Sequence, residues 1–246
     1  MEETLYGRNS TREALRARRR HIHRVVLADN VGQAPIISEI SGLAKQLKIP
    51  IQISPRRKLD EISREHQGVA LEVGRYPFVE VEDILHRAAK LEQPPFIVAL
   101  DHITDPQNVG AILRTAEIVG VHGVLLPKQR AASITPAVVK ASAGATEHIW
   151  VAQVSNLVQT LKKLKQANVW VIGVEGTAEA TPYHQANLSD AITLVIGSEG
   201  QGMGRLVKET CDLLVKLPMK GEIESLNASV AAGIALYEVW RTRDFV

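Results

Sequence analysis

The chain has 246 residues, 45% of them hydrophobic and 4% aromatic, with 29 basic against 27 acidic side chains. That is enough apolar material for one large core or two modest ones, and no run of about 18 apolar residues offers a membrane span. The single cysteine, Cys211, excludes an intrachain disulfide and a multi-cysteine zinc site, and the polar start "MEETLYGRNS" lacks a signal peptide's basic-then-apolar order, so a cytoplasmic protein is expected.

Residues 1–75 hold 14 lysines and arginines against 9 acids, a balance of +5, while the remainder balances at −3. Within this first part "HRVVLAD", "IPIQIS" and "GVALEVG" read as strands, and helical periodicity runs over about Ser10 to Arg18 and Pro35 to Lys48. A small α/β domain is expected over 1–75. Its basic runs, "RARRRHIHR" (Arg16 to Arg24) and "PRRK" (Pro55 to Lys58), suit a polyanion such as nucleic acid as well as they suit solvated helix ends. Only Tyr6 and Tyr76 could stack on bases there, so recognition would rest on phosphates and shape. A polar, proline-bearing stretch follows and is expected to be a linker over 76–93 with a short helix of its own.

From residue 94 onwards the strand candidates are "FIVALD", "GVLLP", "HIWVAQV", "VWVIGVEG", "ITLVIGSEG" and "DLLVKLP", nearly all followed by helical patterns. Continuous apolar runs of this kind indicate a parallel sheet with helices on both faces, whose ligands bind at the carboxyl ends of the strands. That rule selects "GVEG" (Gly173 to Gly176), "GSEGQGMG" (Gly197 to Gly204) and "LPMKGEIESLN" (Leu217 to Asn227). The glycine cluster fails the dinucleotide spacing, because Arg205 stands where a third glycine is needed. It fails the P-loop spacing too, because Met203 and Gly204 follow Gly202. A loop flexible enough for close backbone approach to a ligand remains, with Glu199 inside it, beside the plainer reading of a glycine-rich turn.

Three long stretches then resemble, in order and spacing, the motifs of the SpoU (TrmH-like) family of RNA ribose 2′-O-methyltransferases: "DPQNVGAILRTAEIVGVHGVLLP", "LVIGSEGQGM" and "LPMKGEIESLNASVAAGIALYEVW". The first part, with "YGRNSTREAL" and "HQGVALEV", resembles the ribosomal-protein-like substrate-binding domain found ahead of the catalytic domain in one branch. Within that branch the chain most resembles the enzymes that methylate a guanosine ribose in the peptidyl-transferase region of large-subunit (23S) ribosomal RNA. The resemblance implies an α/β fold whose parallel-sheet domain, 94–246, carries a C-terminal trefoil knot. It further implies S-adenosylmethionine as cofactor, RNA as substrate, no metal, and a homodimer packed through the knotted region. The small residues Ala228, Ala231, Ala232, Gly233 and Ala235 would suit such packing, or an ordinary core.

By the same resemblance the cofactor is held by Gly176, by Ile196, Gly197 and Gly200, and by Leu217, Met219 and Leu226. The catalytic set would be Asn108, Arg114, Glu199, Ser225 and Asn227. Arg114 is expected beside the reacting hydroxyl. A guanidinium stays protonated in proteins, so gripping a phosphate and stabilising the developing alkoxide suits it better than removing a proton. Asn108 would orient Arg114 or the phosphate, or cap a helix. Glu199 would shape its loop by accepting backbone N–H bonds. Ser225 and Asn227 would place polar groups at the same point, although Ser225 could instead cap the last helix. His66 reads as a turn residue, and His102, His122 and His148 show no metal spacing. Ala228 stands where the family often has a larger aliphatic residue. Competing readings are a transfer-RNA methyltransferase of the same family, a non-catalytic RNA-binding assembly protein, and a dinucleotide oxidoreductase.

Overall fold

In chain order the elements are β1 (Glu3–Tyr6), α1 (Arg8–Ala17), β2 (Ile22–Ala28), α2 (Pro35–Gln46), β3 (Ile51–Ser54), α3 (Arg56–Asp60), β4 (Val69–Val73), α4 (Val81–Lys90), β5 (Phe96–Leu100), α5 (Pro106–Ile118), β6 (Gly123–Pro127), α6 (Pro136–Ala141), β7 (Val151–Val154), α7 (Leu157–Gln166), β8 (Trp170–Val174), β9 (Thr181–Pro182), β10 (Ile192–Ile196), α8 (Arg205–Thr210), β11 (Leu213–Lys216) and α9 (Ala228–Thr242). The computed structural model describes residues 3–129, 131–223 and 225–245. Among these, no helix is long and apolar enough to cross a membrane.

The chain divides into two units, residues 1–77 with 134–148, and residues 78–133 with 149–246. In the first unit a four-stranded sheet has the order β1-β4-β2-β3, antiparallel except for the β2–β3 pair. The buried side chains Leu5, Leu15, Ile40 and Leu71 lie in its core. Strand β1 has no counterpart in the sequence reading. The basic run around Arg20 is also not the free cationic surface that its composition suggests. The Arg20 side chain is 1% exposed and donates from Nε and Nη2 to Glu147 at 2.9 Å each, and from Nη1 to Glu3 at 2.7 Å. Its guanidinium also lies 4.8 Å from the Tyr76 ring centre. Arg16 pairs with Glu13 and Glu39, and Arg24 with Glu72. Arg56, Arg57 and Lys58 are exposed.

His66 is the buried turn residue expected of it. Its Nδ1 accepts the Gly68 N–H at 2.8 Å, which leaves the proton on Nε2 to donate to Asp60 at 2.9 Å.

The second unit is built on a wholly parallel seven-stranded sheet of order β7-β6-β5-β10-β8-β11-β9. Every residue of the central strands β5 and β10 is buried, as expected where helices cover both faces. Helix α4, within the stretch expected to be a linker, belongs to this unit. Its Ile84 is buried so tightly against Gly123 that a Cβ added there would stand 2.4 Å from Ile84 Cδ1.

The chain runs outward from β5 to β6 and β7, returns to β8, and then inserts β10 between β5 and β8. That reversal of strand order brings the loops after β8, β10 and β11 together at one edge of the sheet, where ligands of open α/β sheets bind.

Candidate functional site

A cavity of about 230 Å³ opens at that edge. Gly176 comes from the loop after β8, Ile196, Gly197 and Gly200 from β10 and the loop after it, and Leu217, Met219 and Leu226 from the segment after β11. All seven lie in its lining, with Glu199 and Ser225. Glu175 and Gly202 line it as well. Its walls therefore combine apolar side chains with glycine backbone and carboxylates.

The loop after β10 closes on itself. Ser198 N–H donates to the Gly202 carbonyl at 3.1 Å, and Gly202 N–H returns the bond at 2.9 Å. A Cβ at Gly197 would stand 2.4 Å from the Gly202 carbonyl carbon, so no larger residue fits without moving backbone. Gly202 has φ +64, a left-handed conformation that glycine adopts at little cost. Two carboxylates then fix the end of this loop. Glu175 accepts the Met203 N–H at 3.3 Å and lies 3.6 Å from the Lys208 ammonium, and Asp101 accepts the Gly204 N–H at 2.7 Å. Glu199, expected to take backbone N–H bonds, instead accepts from a side chain.

That side chain is Asn227, whose Nδ2 donates to Glu199 Oε2 at 3.2 Å and to Asn108 Oδ1 at 3.0 Å. One amide thus joins residues from the first turn of α5 and from the β10–α8 and β11–α9 connections. Its other end caps α9: Asn227 Oδ1 accepts from the Ser229 N–H at 2.9 Å and from Val230 at 3.4 Å. The cap of the last helix is therefore Asn227, and exposed Ser225 lies on the cavity wall. Likewise Asp105 caps α5, accepting from Gln107 and Asn108 N–H at 3.2 Å with Pro106 at the first helical position. Asn108 sits inside the first turn, its side chain turned to Asn227.

Arg114 is exposed, outside the cavity lining, and makes no hydrogen bond or ion pair with another described residue. Six residues of helix place it about 9 Å along the axis and roughly 120° round from Asn108. Its neighbour Thr115 lines a second, open concavity of about 610 Å³ with Val230, Gly233, Ile234 and Tyr237 of α9, together with Tyr183 and Phe245. Val230, Ile234 and Tyr237 are exposed, whereas Ala228, Ala232 and Ala235 are buried against their own chain.

Two further titratable groups of this unit, His122 and Cys211, fit structural roles. His122 is buried, with Nδ1 accepting the Phe96 N–H at 2.9 Å and Nε2 facing Gln93 Oε1 at 3.1 Å. Burial, with the charges of Arg243 and Arg87, pushes its pKa down to about 4. Burial pushes the Cys211 thiol up to about 12, which leaves it a poor nucleophile. Among the described residues, no three His, Cys, Asp or Glu side chains gather where a metal ion could be held.

Comparison with known proteins identifies the lineage and the fold. Residues 95–237 match the model of the SpoU rRNA methylase family, and residues 4–79 that of the RNA 2′-O ribose methyltransferase substrate-binding domain. A Bacillus subtilis protein, YacO, assigned to the TrmH family of tRNA/rRNA methyltransferases, is 46% identical over 241 residues, 97% of this chain and 95% of its own. A Staphylococcus aureus protein of the same assignment is 41% identical over 245 residues, 99% of this chain and 98% of its own.

Among solved structures, the SpoU methyltransferase AviRb of Streptomyces viridochromogenes, in complex with AdoMet, superposes with a TM-score of 0.82 at 21% identity, covering 100% of this chain and 92% of its own. An AdoMet-bound rRNA methyltransferase of Sinorhizobium meliloti gives 0.78 at 23% identity, covering 98% and 87%. These likenesses establish the fold, and the sequence matches establish the lineage. The chain belongs to the SpoU (TrmH-type) family of RNA 2′-O-methyltransferases.

Proposed function

We propose that this protein transfers a methyl group from S-adenosylmethionine to the ribose 2′-hydroxyl of a guanosine in large-subunit ribosomal RNA. The observation that carries the reading is the meeting of two things at one sheet edge: a cavity lined by all seven residues expected to hold the cofactor, and the Asn108–Asn227–Glu199 cluster around it. The residues suit the group. Ile196, Leu217, Met219 and Leu226 offer apolar surface to an adenine ring, glycine backbone permits close approach, and carboxylates suit ribose hydroxyls and a sulfonium charge. S-adenosylmethionine bound there supplies an electrophilic methyl group.

The chain's own task is then alignment of the attacking hydroxyl. Asn227 holds Glu199 and Asn108 in fixed relation, and Ser225 adds a hydroxyl to the wall. Arg114 grips the phosphate next to the target ribose and stabilises the oxygen as it loses its proton to phosphate or water.

The protein acts as a homodimer in this reading. Val230, Ile234 and Tyr237 form an apolar face that a second copy would cover, and Arg114, one residue from that concavity, would serve a site completed across the interface. The trefoil threading of the cavity loops and the cytoplasmic location belong to the same reading. So does an RNA-holding role for the first unit, which Arg56, Arg57 and Lys58 of α3 support by their exposure.

The test is methyl transfer from radiolabelled S-adenosylmethionine to large-subunit ribosomal RNA and, in parallel, to bulk transfer RNA, with Arg114→Ala as control. Label in ribosomal RNA alone, lost in the control, is the expected result. Label in transfer RNA alone would keep the reaction and overturn the substrate, an outcome that relatives assigned as tRNA/rRNA methyltransferases make worth measuring.

A further inference from the structure

We propose that Asp101 is a positioning residue of this site. It does not line the cavity, yet it fastens the end of the glycine-rich loop that does, and so sets the shape into which the cofactor fits. The inference rests on the cofactor cavity assigned above.

Asp101 follows the last residue of β5, and its backbone N–H extends the pairing with β10 by donating to the Ile196 carbonyl at 2.8 Å. Its side chain is buried, and both oxygens are engaged: Oδ2 accepts the Gly204 N–H at 2.7 Å, and Oδ1 faces His102 Nδ1 at 2.7 Å. Gly204 ends the loop that begins at Gly197 and is the residue from which α8 starts. The loop is thus tied at both ends to one strand pair, through β10 itself at the start and through Asp101 at the finish. Between those ties lie Ser198, Glu199, Gly200 and Gly202, all in the cavity lining.

The fit at the far end is close: a Cβ on Gly204 would stand 3.4 Å from Asp101 Oδ2 and 3.5 Å from His102 Cε1. A bond from a backbone N–H to a buried carboxylate is among the stronger hydrogen bonds in proteins, so its loss should be felt along the loop.

His102 offers a rival account. It holds a left-handed backbone at φ +58, and its Nδ1 stands 2.7 Å from Asp101 Oδ1. The two accounts separate with three variants. Asp101→Ala removes the bond to Gly204 and the contact with His102. Asp101→Asn keeps an acceptor oxygen for Gly204 but turns its amide to His102. His102→Ala leaves Asp101 and Gly204 as they are.

The measurements are amide hydrogen exchange over residues 197–205, S-adenosylmethionine affinity by calorimetry, and kcat and KM for methyl transfer. Asp101→Ala is expected to speed exchange at Gly204 and its neighbours, and to raise the cofactor dissociation constant and KM about tenfold or more, with kcat at saturating cofactor changed less than about threefold. Asp101→Asn should recover most of both, and His102→Ala should match wild type in exchange and affinity.

Unchanged exchange and affinity in Asp101→Ala would overturn the proposal. A loss in His102→Ala equal to that in Asp101→Ala would overturn it equally. If Asp101→Ala does not fold, Asp101→Asn must still exchange faster at Gly204 than His102→Ala, because a neutral oxygen accepts more weakly than a carboxylate, and equal exchange in the two would overturn the proposal. Wild-type protein that binds no S-adenosylmethionine would sink the cofactor assignment instead, and hydrogen exchange would still report whether Asp101 holds the loop.

Discussion

Asn227 performs two tasks with one amide, and side chains that keep one while dropping the other can separate them. Its oxygen caps α9, and its nitrogen joins Asn108 to Glu199. Asn227→Ala loses both. The missing cap costs about 1 kcal/mol, which for a chain of this size lowers Tm by about 2–4 °C. Asn227→Ser keeps a capping oxygen, so its Tm should lie about 2–4 °C above that of Asn227→Ala. One short hydroxyl cannot cap the helix and also reach Asn108 and Glu199.

Taking about 1 kcal/mol for the neutral bond, and about 1 for the bond to Glu199 after discounting for its exposure, the lost alignment is worth roughly 2 kcal/mol. Methyl transfer should then fall by roughly 10- to 100-fold in kcat/KM for both variants. Asn227→Asp sharpens the contrast, because it caps well at a helix N-terminus yet sets a second carboxylate beside Glu199, and it should be the least active of the three. The assay is thermal unfolding alongside single-turnover methylation of RNA. Activity that follows Tm across the series, or a serine variant as active as wild type, would refute the joining role.

Arg114→Ala should leave Tm and cofactor affinity unchanged, since Arg114 makes no hydrogen bond or ion pair with another described residue, while methyl transfer falls roughly 10²- to 10³-fold; Arg114→Lys should recover little if the planar fork is what matters. His122 ties stability to pH. Its pKa of about 4 in the fold lies below the ordinary 6.5, so between those values the unfolded chain takes up a proton that the folded one refuses, and stability, full above pH 6.5, declines as pH falls. Denaturant midpoints measured from pH 7 to pH 4 should show that decline, and His122→Asn should flatten it. In the first unit, Glu147→Ala strands a buried guanidinium with Glu3 as its remaining acid, and should cost about 3 kcal/mol in equilibrium unfolding. Because burial raises the Glu147 carboxyl above its usual range, replacing the pair together, Arg20→Met with Glu147→Leu, should recover most of that loss.

Elements whose pattern follows from burial were legible along the chain. "FIVAL" and "ITLVI" are apolar throughout because helices cover both faces of β5 and β10, and that alone pointed to a parallel sheet. Strand β1, "ETLY", was not legible, since four residues at a half-exposed sheet edge carry too little alternation to stand out. The placement of residues 134–148 with the first unit was equally hidden. What holds that segment is Glu147 meeting Arg20 across 127 positions and the Thr146 carbonyl accepting from the Tyr76 hydroxyl, and neither leaves a local signature. Arg20 shows how composition misleads: among neighbouring arginines it reads as surface charge, and only the partner's position reveals that it is buried.

The site divides along the same line. The strand-end rule pointed to the loops, and family likeness named residues within them, but which residue meets which depended on distance. Asp105 with Pro106 carried a helix-start signal, and the asparagine three residues later obscured it. Glu175 and Asp101 had no signal at all, because a carboxylate that takes a loop N–H can lie at any separation from it, 28 residues in one case and 103 in the other. Arg114 is the reverse case. The motif sets it six residues from Asn108, which on paper suggests partnership, yet a helix turns 600° in six residues and points the two side chains apart. Asn108 found its partner in Asn227, and Arg114 has none among the described residues. An exposed arginine in that position, next to an apolar concavity on α9, is what one half of a shared site would look like, its phosphate brought by RNA and its cavity by a second copy.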